Sequence, residues 1–224
     1  MQVVALDEPF YYAKHYDGEN ACHWDTEKIA AEVGEFIDTA RAIFPEIIVG
    51  DIEPLAGTAN AAEFQEWLEV FEQVNGYPLA FLHLDVDWSR TTWVEEVEEM
   101  VAYGVEHDIP IGMIYFGNHF DPDDATYLAV AGERIKKLEL QAGVLPQHII
   151  FQSWNDKPDY VLPETQANTW TSFINQYFSD KSSLGFATEG AGANLALNRP
   201  VTVSKVHEDF GGEFAVDGDT GTVW

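Results

Sequence analysis

Leu79-Ala80-Phe81-Leu82-His83-Leu84-Asp85-Val86-Asp87-Trp88 is an apolar, strand-like run whose end is loaded with acids and an aromatic ring, and a helical pattern follows it. Four other runs in the first 160 residues end in the same way, at Leu6-Asp7-Glu8-Pro9, Gly50-Asp51-Ile52-Glu53-Pro54, Tyr115-Phe116-Gly117-Asn118-His119 and Gln152-Ser153-Trp154-Asn155-Asp156. Each also precedes a helical pattern. The C-terminal ends of parallel strands converge on one face of a (β/α) barrel, so polar groups gathered there define a site. Carboxylates dominate this one.

The expected strands are 3–6, 47–50, 79–86, 109–116 and 148–151, rich in the β-branched and aromatic residues that buried parallel strands use. Apolar stripes at helical spacing lie between and after them. They are Ile29, Val33, Phe36, Ile37 and Ala40; Phe64, Trp67, Leu68 and Phe71; Trp93, Val97, Met100 and Val101; Leu128, Ala131, Ile135 and Leu138; and Trp170, Phe173, Ile174, Tyr177 and Phe178. Asp121 and Pro122 read as cap and first turn of the fourth helix. The expected organisation is a partial (β/α)8 barrel over residues 1–179, a Ser/Gly/Ala-rich linker over 180–193 and a separate unit over 194–224. On this reading the five units are the last five of a TIM-type barrel, roughly three more preceding them. A complete open sheet of flavodoxin-like type is the structural alternative.

The 39 acidic and 11 basic residues leave a formal charge of -28, which repels nucleic acid and anionic membranes and favours neutral or cationic partners. Such a charge also serves solubility in a salty or extracellular setting. The single Cys22 rules out an internal disulfide framework, and no apolar stretch approaches the ~20 residues of a membrane span.

Side chains alternate along a strand, so Asp51 and Glu53 share a face, as do His83, Asp85 and Asp87. Carboxyls directed into one mouth raise one another's pKa, which leaves one protonated acid beside an ionised partner, as glycoside hydrolysis requires. Tyr11, Tyr12, Trp88, Tyr115 and Trp154 are candidate platforms for pyranose rings, the alternative being that they pack under loops. Asp7, His15, Asp51, Asn118 and Gln152 are candidates for hydrogen bonds to substrate. His15, His83 and His119 suit either substrate contact or metal ligation.

Asp7-Glu8-Pro9 resembles the Asn-Glu-Pro at the end of the fourth strand in the large clan of retaining (β/α)8 glycosidases, where the Glu is the acid/base. Counted back from the linker, this strand is also the fourth. The resemblance implies that role for Glu8. Where that clan carries a nucleophilic Glu on the seventh strand, this chain has Tyr115-Phe116-Gly117-Asn118, so the partner of Glu8 comes from Glu53, Asp85 or Asp87.

A second resemblance lies in Asn194-Leu195-Ala196-Leu197-Asn198-Arg199-Pro200-Val201-Thr202-Val203-Ser204 with Phe214-Ala215-Val216-Asp217-Gly218-Asp219-Thr220-Gly221-Thr222-Val223-Trp224. Together they are similar to the opening of a discoidin domain, the coagulation factor 5/8 C-terminal type. This implies the start of a β-sandwich carbohydrate-binding module, with Asp217, Asp219 and Thr222 as ligands of a structural calcium. The combined expectation is a secreted or cell-surface glycoside hydrolase that binds a neutral or cationic polysaccharide and uses no cofactor in catalysis. The rival is a non-catalytic carbohydrate-binding or surface-attachment protein on a degenerate barrel.

Overall fold

Five strands form where the five apolar runs lie: β1 (Gln2–Asp7), β2 (Ile47–Leu55), β3 (Leu82–Val86), β4 (Ile111–Tyr115) and β5 (His148–Phe151). They pair in parallel in the order β1-β2-β3-β4-β5, which is the order of consecutive βα units in an α/β barrel. A flavodoxin-like sheet would place β1 between β2 and β3, so that alternative is excluded. The structure is a computed structural model and describes residues 2–56 and 59–184. The unit expected over 194–224, with Asp217, Asp219 and Thr222, lies outside the described residues.

The chain divides into two compact units, Met1–Tyr115 with Lys137–Gln152 and Phe116–Lys136 with Ser153–Trp224. The first holds the whole sheet and the helices α1 (Pro9–Lys14), α2 (Thr26–Ile43), α3 (Ala61–Asn75) and α4 (Trp93–His107). Asp25 caps α2 by accepting from the Lys28 N–H at 2.8 Å, and Asn60 caps α3 through the Glu63 N–H at 3.2 Å. Gly76, at φ 75, closes α3 in the left-handed conformation that glycine adopts without strain.

Within this unit the two faces of the sheet differ. Residues paired across parallel strands point the same way, so Val49, Asp51, Glu53 and Leu55 share a face with Leu82, Leu84 and Val86 and with Ile111, Met113 and Tyr115. All of these are buried. Trp67 of α3 reaches Asp51, and Gly104 of α4 lies against Ile111, so this is the helix-covered face. The other carries Ala5, Asp7, Ile52, His83, Asp85 and His148, none of them fully buried, together with the buried Gly50, Pro54, Gly112 and Ile114.

The second unit contains α5 (Asp124–Ile135) and α6 (Trp170–Asp180). Its α5 is capped by Asp123, which accepts from the Thr126 N–H at 2.8 Å, and not by Asp121. Asp121 instead accepts from the Asn118 N–H at 2.6 Å. Helix α6 and a following 3-10 turn, Lys181–Ser183, run into the stretch expected to begin the linker. Tyr127 and Trp170 meet edge to face at 5.9 Å in the core of this unit. Phe36 and Phe178, both assigned to buried stripes, are 54% and 63% exposed.

Candidate functional site

Glu8 stands at the turn between β1 and α1. Its N–H donates to the Ile52 carbonyl at 2.8 Å, and its carbonyl accepts from the Tyr12 N–H at 3.0 Å. Between those bonds the backbone sits at φ 56, ψ 39, a left-handed conformation that costs a side-chain-bearing residue about 1 kcal/mol. The strain is localised at a functional candidate, which is where such strain is commonly found.

Asp7, Glu8 and Asp85 interact electrostatically. Burial pushes Glu8 up to about 7, helped by the negative charges of Asp85 and Asp7. Burial likewise raises Asp85 to about 6, with Asp7 adding to it. Both carboxyls therefore hold their protons closer to neutral pH than exposed carboxyls do, which is the condition acid/base chemistry asks for. Tyr12 is 51% exposed, and its hydroxyl pKa is raised chiefly by the charge of Glu8, so it belongs to the rim of this cluster.

The expectation that Glu53 opens into the same cleft as Glu8 is corrected. Glu53 and Asp51 are 0% exposed and lie on the helix-covered face, whereas Asp85 is on the other. The reason is register: Asp85 pairs with Pro54, one residue beyond Glu53, and an offset of one reverses the side of the sheet. Glu53 accepts from the N–H groups of Phe10 at 2.7 Å and Tyr11 at 3.0 Å. Asp51 accepts from the Trp67 indole at 2.9 Å. Asp51 also hydrogen-bonds the Glu53 carboxyl, which requires a proton between the two groups. Burial pushes Asp51 up to about 8 and Glu53 well above its ordinary value, so the pair keeps that proton at neutral pH.

Several other candidates are also redirected. Tyr115 is 0% exposed, and its hydroxyl donates to the buried Glu139 at 3.0 Å, which makes it a core residue. Trp88 stacks on Tyr115 at 6.2 Å and meets Trp93 edge-on at 5.0 Å, leaving it half-buried. His15 pairs with Glu63 of α3 at 3.2 Å. Asp87 accepts from the N–H and hydroxyl of Ser89, at 3.0 and 2.7 Å, and so closes the turn after β3. Gln152 is half-buried at the end of β5, its N–H on the Tyr115 carbonyl at 3.4 Å.

Asn118 and Trp154 belong to the second unit. There Asn118 is held by Asp121 and by Arg134, while Trp154 is 69% exposed. His119 bonds Asn155 in the same unit.

One pair escaped the sequence reading. His83 Nε2 lies 3.1 Å from Nδ1 of His148, across Gly112, and Phe81 stacks on His83 at 4.4 Å. Burial first, and His148 second, lower His83 to about 4, so His83 is neutral at pH 7. Only the register across three strands puts these rings in one row. Among the described residues no group of three or more His, Cys, Asp or Glu is arranged to hold a metal ion, and no helix is long and apolar enough to cross a membrane. Comparison with family models, curated proteins and solved structures finds no match to this chain.

Proposed function

We propose that the chain is part of a glycoside hydrolase acting on a neutral or cationic polysaccharide, with Glu8 as acid/base and Asp85 as its carboxylate partner. The observation that carries this reading is that Glu8, at the end of β1, and Asp85, on β3, interact electrostatically, with burial and neighbouring negative charge holding both carboxyls above the ordinary carboxylate range. Glu8 protonates the glycosidic oxygen; Asp85, ionised, stabilises the sugar cation, attacks it or activates water. Asp7 raises the proton affinity of both, and Tyr12 offers an exposed ring at the rim.

The sheet is taken as the last five units of a TIM-type barrel. Supporting this is an apolar groove of about 350 Å³ beside β1, lined by Leu6, Pro9, Trp24, Val33 and Phe36, which suits the packing of a further βα unit. Residues 194–224 are read as the start of a discoidin-type module with calcium at Asp217, Asp219 and Thr222, which accords with a secreted or cell-surface protein. Burial of Glu53 favours a second reading, a carbohydrate-binding protein on a degenerate barrel, because it removes one potential catalytic partner.

A glycan panel assayed for binding and cleavage separates the two. For a cleaved glycan, Glu8→Gln and Asp85→Asn should each lower kcat by at least ~100-fold with KM nearly kept. Near-normal turnover in Glu8→Gln refutes the mechanism, and binding without cleavage across the panel selects the second reading.

A further inference from the structure

We propose that Glu53 is a positioning residue for Glu8: from the covered face of the sheet it clamps the first turn of α1 and so holds the acid/base in its left-handed conformation. The inference rests on the role assigned to Glu8. Helix α1 has six residues, too few to sustain itself by its own hydrogen bonds. Its first turn ends on one carboxyl group, the Phe10 N–H on Oε1 at 2.7 Å and the Tyr11 N–H on Oε2 at 3.0 Å. On the other side of Glu8, its own N–H is held by the carbonyl of Ile52. Adjacent residues of β2 thus grip the chain on both sides of Glu8, and the intervening backbone has no freedom to relax to an ordinary conformation.

Glu53 is itself held in place. The Asp51 carboxyl shares a proton with it, Trp67 donates to Asp51 at 2.9 Å, and the Trp67 ring stacks on Phe10 at 5.2 Å. Of the other titratable groups on α1, Lys14 and His15 meet Glu63 of α3, while Tyr12, at the rim, feels the charge of Glu8. Glu8 itself faces Asp7 and Asp85. Shape and charge therefore pass from the core to Glu8 through two amide hydrogen bonds.

The test follows Glu8 directly, by carboxyl-carbon NMR titration of the full chain, alongside the pH–rate profile on a cleaved glycan. Glu53→Gln keeps size and one acceptor oxygen but turns an amide NH2 toward the second N–H. The Glu8 midpoint should fall from about 7 toward 4.5 by at least about one pH unit, the acidic group of the rate profile moving with it, and kcat should fall at least ~10-fold with KM kept. An unmoved midpoint in folded Glu53→Gln overturns the proposal, and lost activity with an unmoved midpoint gives Glu53 a direct chemical role instead. A shifted midpoint in a protein whose wild type cleaves no glycan upholds the clamp and sinks only the hydrolase reading. If Glu53→Gln does not fold, amide exchange in the wild type decides: Phe10 and Tyr11 should be protected at least ~100-fold, and rapid exchange at both refutes the clamp.

Discussion

Two residues of the same type, Glu8 and Glu53, stand in sharply different surroundings. Glu8 is part-buried among like charges and is strained, whereas Glu53 is wholly buried and bonded to two amides. The strain at Glu8 has a measurable consequence. Glu8→Gly should raise the free energy of unfolding by about 1 kcal/mol, since glycine adopts φ 56 without steric cost, and on the proposed acid/base reading it should also abolish glycan cleavage. Denaturant unfolding checks this, and a destabilised Glu8→Gly chain would show that the backbone there is not strained. The motif that singled out Glu8 was visible as three letters at a strand end. Nothing in those letters foretold the left-handed backbone, because it is imposed by Ile52 and Glu53 of a strand some forty residues away.

At the level of elements, periodicity located every strand and the five long helices, yet it stopped β2 at Gly50, where the strand continues to Leu55. Acids and proline argue locally against a strand. Pairing of Asp51 to Pro54 with β3, together with satisfied carboxyls, outweighs that local preference. The extension decides the site, because it fixes which acids turn toward the helices. The row of His83, Gly112 and His148 depends equally on register. A Cβ at position 112 would lie 2.4 Å from the His83 ring and 2.9 Å from the His148 Cβ. Gly112→Ala should therefore cost about 1–3 kcal/mol and free His83 to titrate above about 4, toward 6.5. Unfolding and imidazole NMR titration would read both effects, and unchanged stability would mean that the rings can part without penalty.

For the molecule as a whole, buried carboxyls make stability depend on pH in the direction opposite to a salt-bridged acid. Unfolded, Asp51 titrates near about 3.9; folded, burial holds it at about 8. The stability contributed by its proton is full below about pH 4 and is lost as pH rises through about 8, by at most about 1.4 kcal/mol per unit for one proton. Glu8 and Asp85, also raised, act with the same sign over the window up to about 7 and about 6. Midpoints of thermal unfolding should accordingly fall between pH 5 and pH 8. Asp51→Asn, which keeps an oxygen for the Trp67 indole, should flatten that fall, and an unaltered slope would place the shared proton elsewhere.

The sequence by itself determined the class of fold, since apolar runs of strand length alternating with helical stripes leave little besides a parallel α/β sheet. It also drew attention to the strand ends and to Glu8, and its charge of -28 is legible there directly. Tertiary structure alone decided the strand order, and with it the choice against a flavodoxin-like sheet. It alone separated Asp85 from Asp51 and Glu53, sent Tyr115 into the core and joined His83 to His148. The physical reason is that a side chain's face depends on register, and register is settled by pairing between residues far apart in the chain, where a shift of one position exchanges the buried face for the exposed one.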